Sequence, residues 1–113
     1  MDKYRDIIGK TVDVVIDRPL GSRHPRRNTI FYTVNYGYLP NVIAGDGSPQ
    51  DVYVLGVDEP LDTFHGTVIA VIHRLDDVED KWVAAPEGVH FTKEEILCHT
   101  WFVEQFFQVE VYC

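Results

Sequence analysis

A chain of 113 residues with ordinary globular composition is enough for one domain, residues 1–113, with a modest core, and it carries no disorder or repeat signature. Its net charge of −8 excludes general binding to nucleic acid or to anionic membrane, both of which need a cationic face. No run approaches the ~18 apolar residues of a membrane span, and residues 1–6 lack the apolar centre of a secretory leader, so a cytoplasmic protein is expected. Cys98 and Cys113 have neither zinc nor CxxC spacing and read as free thiols.

Residues 1–9 form a short polar lead-in. The β-branched run 11–17 (TVDVVID) predicts a first strand, stopped by Pro19 and Gly21. Residues 21–28 (GSRHPRRN) are too rich in arginine, proline and glycine to pack, and predict a basic loop. Residues 29–35 (TIFYTVN) predict a second strand, 38–51 a turn-rich stretch, and 51–57 (DVYVLGV) a third strand. The nearly all-apolar 66–73 (GTVIAVIH) predicts a central strand buried on both faces. An acidic turn, Asp76-Asp77-Val78-Glu79-Asp80, separates it from a fifth strand over 81–85. The period then changes. Thr92 with Glu95 makes a capping box, and Ile96, Leu97, Trp101, Phe102 and Phe106 follow at helical spacing. One amphipathic helix to about Phe107 is expected, with Trp101 and Phe106 in the core, and a last short strand over 109–111. Strands followed by a helix, without βαβ alternation, point to a small antiparallel or mixed β-barrel with one packed helix, mainly β in class.

The chemistry concentrates in Asn35-Tyr36-Gly37-Tyr38 and in Asp46-Gly47-Ser48-Pro49-Gln50-Asp51. Asp-Gly is a strong hairpin signal, and turn punctuation alone explains part of this pattern. The chemical reading is that Asp46 and Asp51 face one space, as a hard divalent cation such as Mg2+ requires of its oxygen donors. The acidic turn supplies a second set of carboxylates, and Asp17 ends the first strand as an outer-shell acid or general base. Lys81 and the loop arginines Arg23, Arg26 and Arg27 suit phosphate oxygens as a point charge and as forks. Tyr32 and Tyr36 offer phenol donors.

These motifs resemble those of the soluble, Mg-dependent inorganic pyrophosphatases (family I), over about residues 11–107. The resemblance rests on Asn35-Tyr36-Gly37-Tyr38, on Asp46-Gly47-x-Pro49-x-Asp51-Val52, and on the acidic turn followed by Lys81 and Val83-Ala84-Ala85-Pro86. It implies a five-stranded OB-like barrel with a packed C-terminal helix and hydrolysis of pyrophosphate to two phosphates. It implies Asp46, Asp51, Asp76 and either Glu79 or Asp80, here taken as Asp80, as Mg2+ ligands. Catalytic roles fall on Asp51, Tyr36 and Lys81. Phosphate contacts fall on Arg23, Arg26, Tyr32, Tyr36 and Lys81, with Asp17 as the outer-shell acid. A homo-oligomer is expected.

The departures bear on the same chemistry. Ser48 replaces the acid of the family pattern that activates water, and a hydroxyl is a poor base at neutral pH. Phe106-Phe107 stands where the family carries Tyr-Lys, the basic hairpin is cut down to 21–28, and the acidic turn is short. A second function therefore stands beside hydrolysis: a catalytically weakened or inactive protein that binds phosphate or a nucleotide on the same barrel. A single-stranded nucleic-acid module of OB type is a third, opposed by the net charge.

Overall fold

The computed structural model describes residues 4–76 and 79–113. The elements are β1 (Thr11–Arg18), β2 (Asn35–Ile43), β3 (Pro49–Val54), β4 (Thr63–Arg74), β5 (Asp80–Ala85), α1 (Lys93–Glu104) and β6 (Val109–Tyr112). The strand order is β1-β2-β3-β5-β4-β6, and an additional β1–β4 pairing closes the first five strands into a barrel. All pairings are antiparallel except β3–β5. The long β4 makes closure possible by serving several partners along its length. Its residues 63–67 pair with β1, 67–73 with β5, and 71–74 with β6.

Strand alternation sorts the apolar side chains into two cores. All five barrel strands supply the first, through Val12, Val14, Ile16, Leu39, Val52, Val54, Val68, Val71, Trp82 and Ala84, so this core fills the barrel. The second contains nothing from β1. It holds Tyr36, Tyr53, Leu55, Ile72, Val83 and Ala85 from the barrel wall, with Ile96 of α1 and Tyr32 and Val34 of the 19–34 loop. This second core lies between the wall and the helix, and the pocket described below opens at its edge.

The structure moves several predicted boundaries. Residues 29–34 are not a strand. Tyr32 and Val34 are buried, but the backbone bonds there tie the loop to itself, Tyr32 N to Ser22 O and Gly21 N to Tyr32 O, with one isolated bridge, Arg23↔Phe31. The strand begins instead at Asn35, so the Asn-Tyr-Gly-Tyr motif lies within β2. Asn35 is fully buried and pins both neighbouring loops: its Oδ1 accepts from Leu20 N and Leu61 N, and its Nδ2 donates to Glu59 O. Strand β4 starts at Thr63, three residues earlier than the apolar run. Tyr4 of the lead-in is buried against the barrel core.

Gly37 explains the glycine between the tyrosines. A Cβ there would lie 1.9 Å from Val15 O and 2.9 Å from Ile16 Cα, against backbone that cannot step aside, beside the bulge between Ile16 and Arg18. Gly37→Ala is expected to cost roughly 1–3 kcal/mol or more by forcing β1 from β2. Urea denaturation checks this, and a loss of a few tenths would show that the strands part freely.

The capping box forms as expected: Thr92 Oγ1 accepts from Glu95 N at 3.1 Å and Thr92 N donates to Glu95 Oε1 at 2.8 Å. The helix ends at Glu104, not Phe107. Its buried residues are Ile96, Thr100 and Glu104, while Trp101 and Phe106 are 49% and 54% exposed, which corrects their expected core placement. The buried stripe is polar at two of its three positions, because Thr100 satisfies its hydroxyl on Ile96 O and Glu104 is neutralised from β4. No helix among the described residues is long and apolar enough to cross a membrane.

Candidate active site

A pocket of about 590 Å³ opens between the barrel wall, α1 and the basic loop. Strand alternation delivers its floor. Asp51 and Tyr53 share one face of β3, and Lys81 shares the face of Val83 and Ala85 on β5. Gln50, on the opposite face, ties the strands together by donating to Asp80 O at 2.7 Å.

Lys81 is the centre of the polar floor. Its side chain is only 7% exposed, and its Nζ lies 2.6 Å from Asp51 Oδ2, 3.1 Å from Glu79 Oε2 and 3.1 Å from the Tyr36 hydroxyl. Burial, with the Asp51 charge next, pushes the Tyr36 phenol well above 10. Tyr36 therefore stays protonated and can donate its own hydrogen while accepting from Lys81. Burial likewise pushes Asp17 above the usual carboxylate range, Arg18 opposing and Asp51 adding to it. At the rim, the Ser48 N–H donates to Asp46 Oδ1 at 3.0 Å, and that bond with the Glu79 carboxyl holds Asp46 below the usual range.

The opposite wall is basic. Arg18 donates to the Tyr32 hydroxyl and lies 5.4 Å from the centre of the Tyr36 ring. His24 Nδ1 accepts from Arg26 N and Arg27 N, which fixes the loop so that both arginines line the pocket. Burial and the charges of Arg18, Arg27 and Arg26 push the His24 imidazole down. Arg74 enters from the end of β4. It forks onto Glu104 through Nε at 2.9 Å and Nη2 at 2.8 Å, reaches Glu79 through Nη1 at 3.2 Å, and lies 3.7 Å from the centre of the Phe107 ring. Tyr53 donates to Glu104 Oε2 at 2.6 Å, the oxygen that also accepts from Arg74 Nη2.

Of the residues singled out in the sequence, Asp17, Arg26, Tyr32, Tyr36, Asp51 and Lys81 line this pocket, with Asp46 at its rim beside Glu79. Three do not join it. Arg23 stacks on Phe31 at 4.7 Å, outside the pocket. Asp76 caps the start of β6 by accepting from Gln108 N at 3.3 Å. Asp80 bonds His73 Nδ1 at 2.7 Å and the Tyr4 hydroxyl at 3.0 Å. The reason for Asp80 is the two-residue period of a strand: it shares the barrel-side face with Trp82 and Ala84, opposite Lys81. Of the two alternatives, Glu79 and Asp80, Glu79 is the one that lines the pocket. Asp77 lies outside the described residues. Arg18 belongs to the same basic stretch as Arg23, Arg26 and Arg27, whereas Arg74 and Glu104 were not foreseen in the site. The only sequence signal for the last two was a charge at the end of an apolar strand and an acid on the apolar side of the helix.

A barrel whose pocket sets a lysine and arginines against a few carboxylates has the charges that suit a phosphate ligand. The family model for inorganic pyrophosphatase matches residues 11–95. The inorganic pyrophosphatase of Halobacterium salinarum is 40% identical over 81 residues, covering 66% of this chain and 41% of that protein. That of Pseudomonas aeruginosa is 38% identical over 64 residues, covering 50% and 35%. The crystal structure of the Ehrlichia chaffeensis enzyme superposes with a TM-score of 0.71 at 20% identity, over 93% of this chain and 86% of that one. The chain belongs to the inorganic pyrophosphatase family. It spans well under half the length of these two curated relatives, 41% and 35%.

Membership implies a divalent metal cofactor, and the donors present fit it only in part. Asp46 and Glu79 offer hard oxygens in contact with each other, with Asp51 next to them across Lys81. A cluster of ions does not fit. Among the described residues no group of three or more His, Cys, Asp or Glu stands at metal-holding spacing. Asp76 and Asp80 point elsewhere, Ser48 has no carboxylate, and Arg74 places a guanidinium among the acids.

Proposed function

We propose that this chain hydrolyses inorganic pyrophosphate to two phosphates with Mg2+ as the divalent cation, as a single-domain cytoplasmic homo-oligomer. The observation that carries the reading is the Lys81 ammonium, buried and joined to Asp51, Glu79 and Tyr36, in a chain of this family. Mg2+ held by the touching carboxylates of Asp46 and Glu79 would neutralise phosphate charge and make water more acidic. The chain's own residues do the rest. Lys81 and Arg26 receive phosphate oxygens, Tyr32 and Tyr36 orient them through their hydroxyls, and Arg18 keeps Tyr32 in place. Asp51, 2.6 Å from the Lys81 Nζ, keeps that ammonium aimed into the pocket. Asp17, made more basic by burial than an ordinary aspartate, takes the proton from the attacking water in place of the acid that Ser48 lacks.

The test is phosphate release from pyrophosphate in Mg2+, with Asp51→Asn alongside. Turnover by the parent and a loss of ~10² or more in the variant are expected. Equal turnover by the two proteins would remove Asp51 from the site. A second reading, a phosphate- or nucleotide-binding protein without turnover, is favoured by Ser48 and by the arginine among the acids. It predicts calorimetric binding with no phosphate release.

A further inference from the structure

The charges of the pocket are distributed unequally between its two sides. Every carboxylate on the floor already has a cation: Asp51 has Lys81, and Glu79 has both Lys81 and Arg74. The arginines on the loop side make no direct contact with an acid, and Arg18 feels only the charge of its chain neighbour Asp17. Among the described residues Arg18, Arg26 and Arg27 make no ion pair with any carboxylate, although all three line the same pocket. Five cations line it, Arg18, Arg26, Arg27, Arg74 and Lys81, against three carboxylates, Asp17, Asp51 and Glu79. Behind the lining Glu104 balances Arg74, and Asp46 touches Glu79, so the charges are even overall but divided, with acids on the floor and guanidinium groups on the loop side. Cations gathered on one wall of a cleft attract an anion.

The arginines are also placed in advance. Arg18 is packed over Tyr32 and Tyr36, and the Arg26 and Arg27 backbones are bonded to His24. Arg74 is held by its fork on Glu104 and by the Phe107 ring, and three of its five N–H donors are engaged by carboxylates. The Arg18 guanidinium, fixed in this way, binds phosphate oxygens with little further loss of side-chain freedom, and Arg26 and Arg27 reach the pocket from a backbone that is already set.

We propose that this pocket binds free pyrophosphate directly on Arg18, Arg26 and Arg27, without a divalent cation in the complex, so that metal is needed for turnover and not for capture. The protein's own guanidinium groups supply the charge neutralisation that bound ions would otherwise supply, and Arg74 already engages Glu79 on the acidic side. This rests on the reading that the pocket is the pyrophosphate site.

The experiment is calorimetric titration of sodium pyrophosphate into the full chain, once in EDTA and once in Mg2+, with phosphate release in Mg2+ measured on the same samples. Binding in EDTA is expected within roughly tenfold of binding in Mg2+, weakening steeply with added salt as charge-assisted contacts do. The exposed pair Arg26→Ala/Arg27→Ala is expected to weaken binding in EDTA by roughly tenfold or more, since bonds to charged groups are the stronger ones. Binding more than roughly tenfold weaker in EDTA than in Mg2+, or parent-like binding by the double variant, overturns the proposal. Phosphate release with no binding in EDTA removes this proposal and leaves hydrolysis standing. Binding in EDTA with no release removes hydrolysis and leaves capture standing.

Discussion

Replacing Lys81 with methionine is expected to lower kcat/KM for pyrophosphate by ~10² to 10³ while the barrel stays folded. The ammonium is buried and aimed by three partners, so it meets a phosphate oxygen as a positioned charge that needs no reorganisation. Methionine fills the stem's volume and removes only the charge. Asp51 and Glu79 then lose their shared cation, but their side chains are 34% and 24% exposed and can rehydrate. Stability should therefore fall far less than activity. Arginine at this position is not a rescue, because its planar fork cannot sit on Tyr36, Asp51 and Glu79 as a compact ammonium does. Phosphate-release kinetics beside a circular dichroism melt decide the matter. A loss below about threefold would place Lys81 outside the reaction.

The largest stability effect is expected at the other buried cation. Glu104 has no exposed side-chain surface, and Arg74 supplies both of its charge-assisted bonds. Burial alone would make the guanidinium give up its proton more readily, but the bonds to Glu104 outweigh it and hold Arg74 charged. Arg74→Met leaves a carboxylate between α1 and the barrel wall with only the Tyr53 hydroxyl as partner. Breaking such a pair costs about 3–5 kcal/mol, because the stranded ion cannot reach water. The double change Arg74→Met/Glu104→Leu removes both charges and should recover most of that loss, since the pair's own desolvation cost goes with it. Urea denaturation of the two proteins separates these outcomes. If the double variant is as unstable as the single one, packing and not the stranded charge dominates.

The two effects differ because the two cations face different surroundings. Lys81 stands at a polar floor open to a ligand, whereas Arg74 spans from that floor to a sealed helix interface. Through Glu79, which both cations touch, the helix anchor and the pocket form one charged network. A change at Glu104 should therefore also alter the pocket, which ordinary helix packing would not do.

Much of the architecture was legible in the chain itself. The alternation in 11–17 reflects a pleat that puts every second residue in the barrel, and Thr92 with Glu95 marks the helix start because a capping box needs only local geometry. The candidate site was legible where spacing is short-range: Asp46 and Asp51 flank one hairpin, and Tyr36 follows from its motif. It was not legible where register decides. Asp80 and Lys81 are adjacent, and nothing local says which of them faces the helix; the pairing of β5 with β3 and β4 does. Nor does a lone acid at Glu104 announce itself as buried. Its neutralising partner lies thirty positions away on β4, and Trp101 and Phe106 look more like core than it does.

The sequence by itself determined the first, third, central and fifth strands, the cap, the family and the acidic hairpin, since each depends on neighbours within a few residues, but it misplaced β2. Only the tertiary structure decided which charges meet. The energy of a buried ion depends on the partner that closure of the barrel brings to it, and that partner is set by strand register and helix docking, which no local pattern encodes.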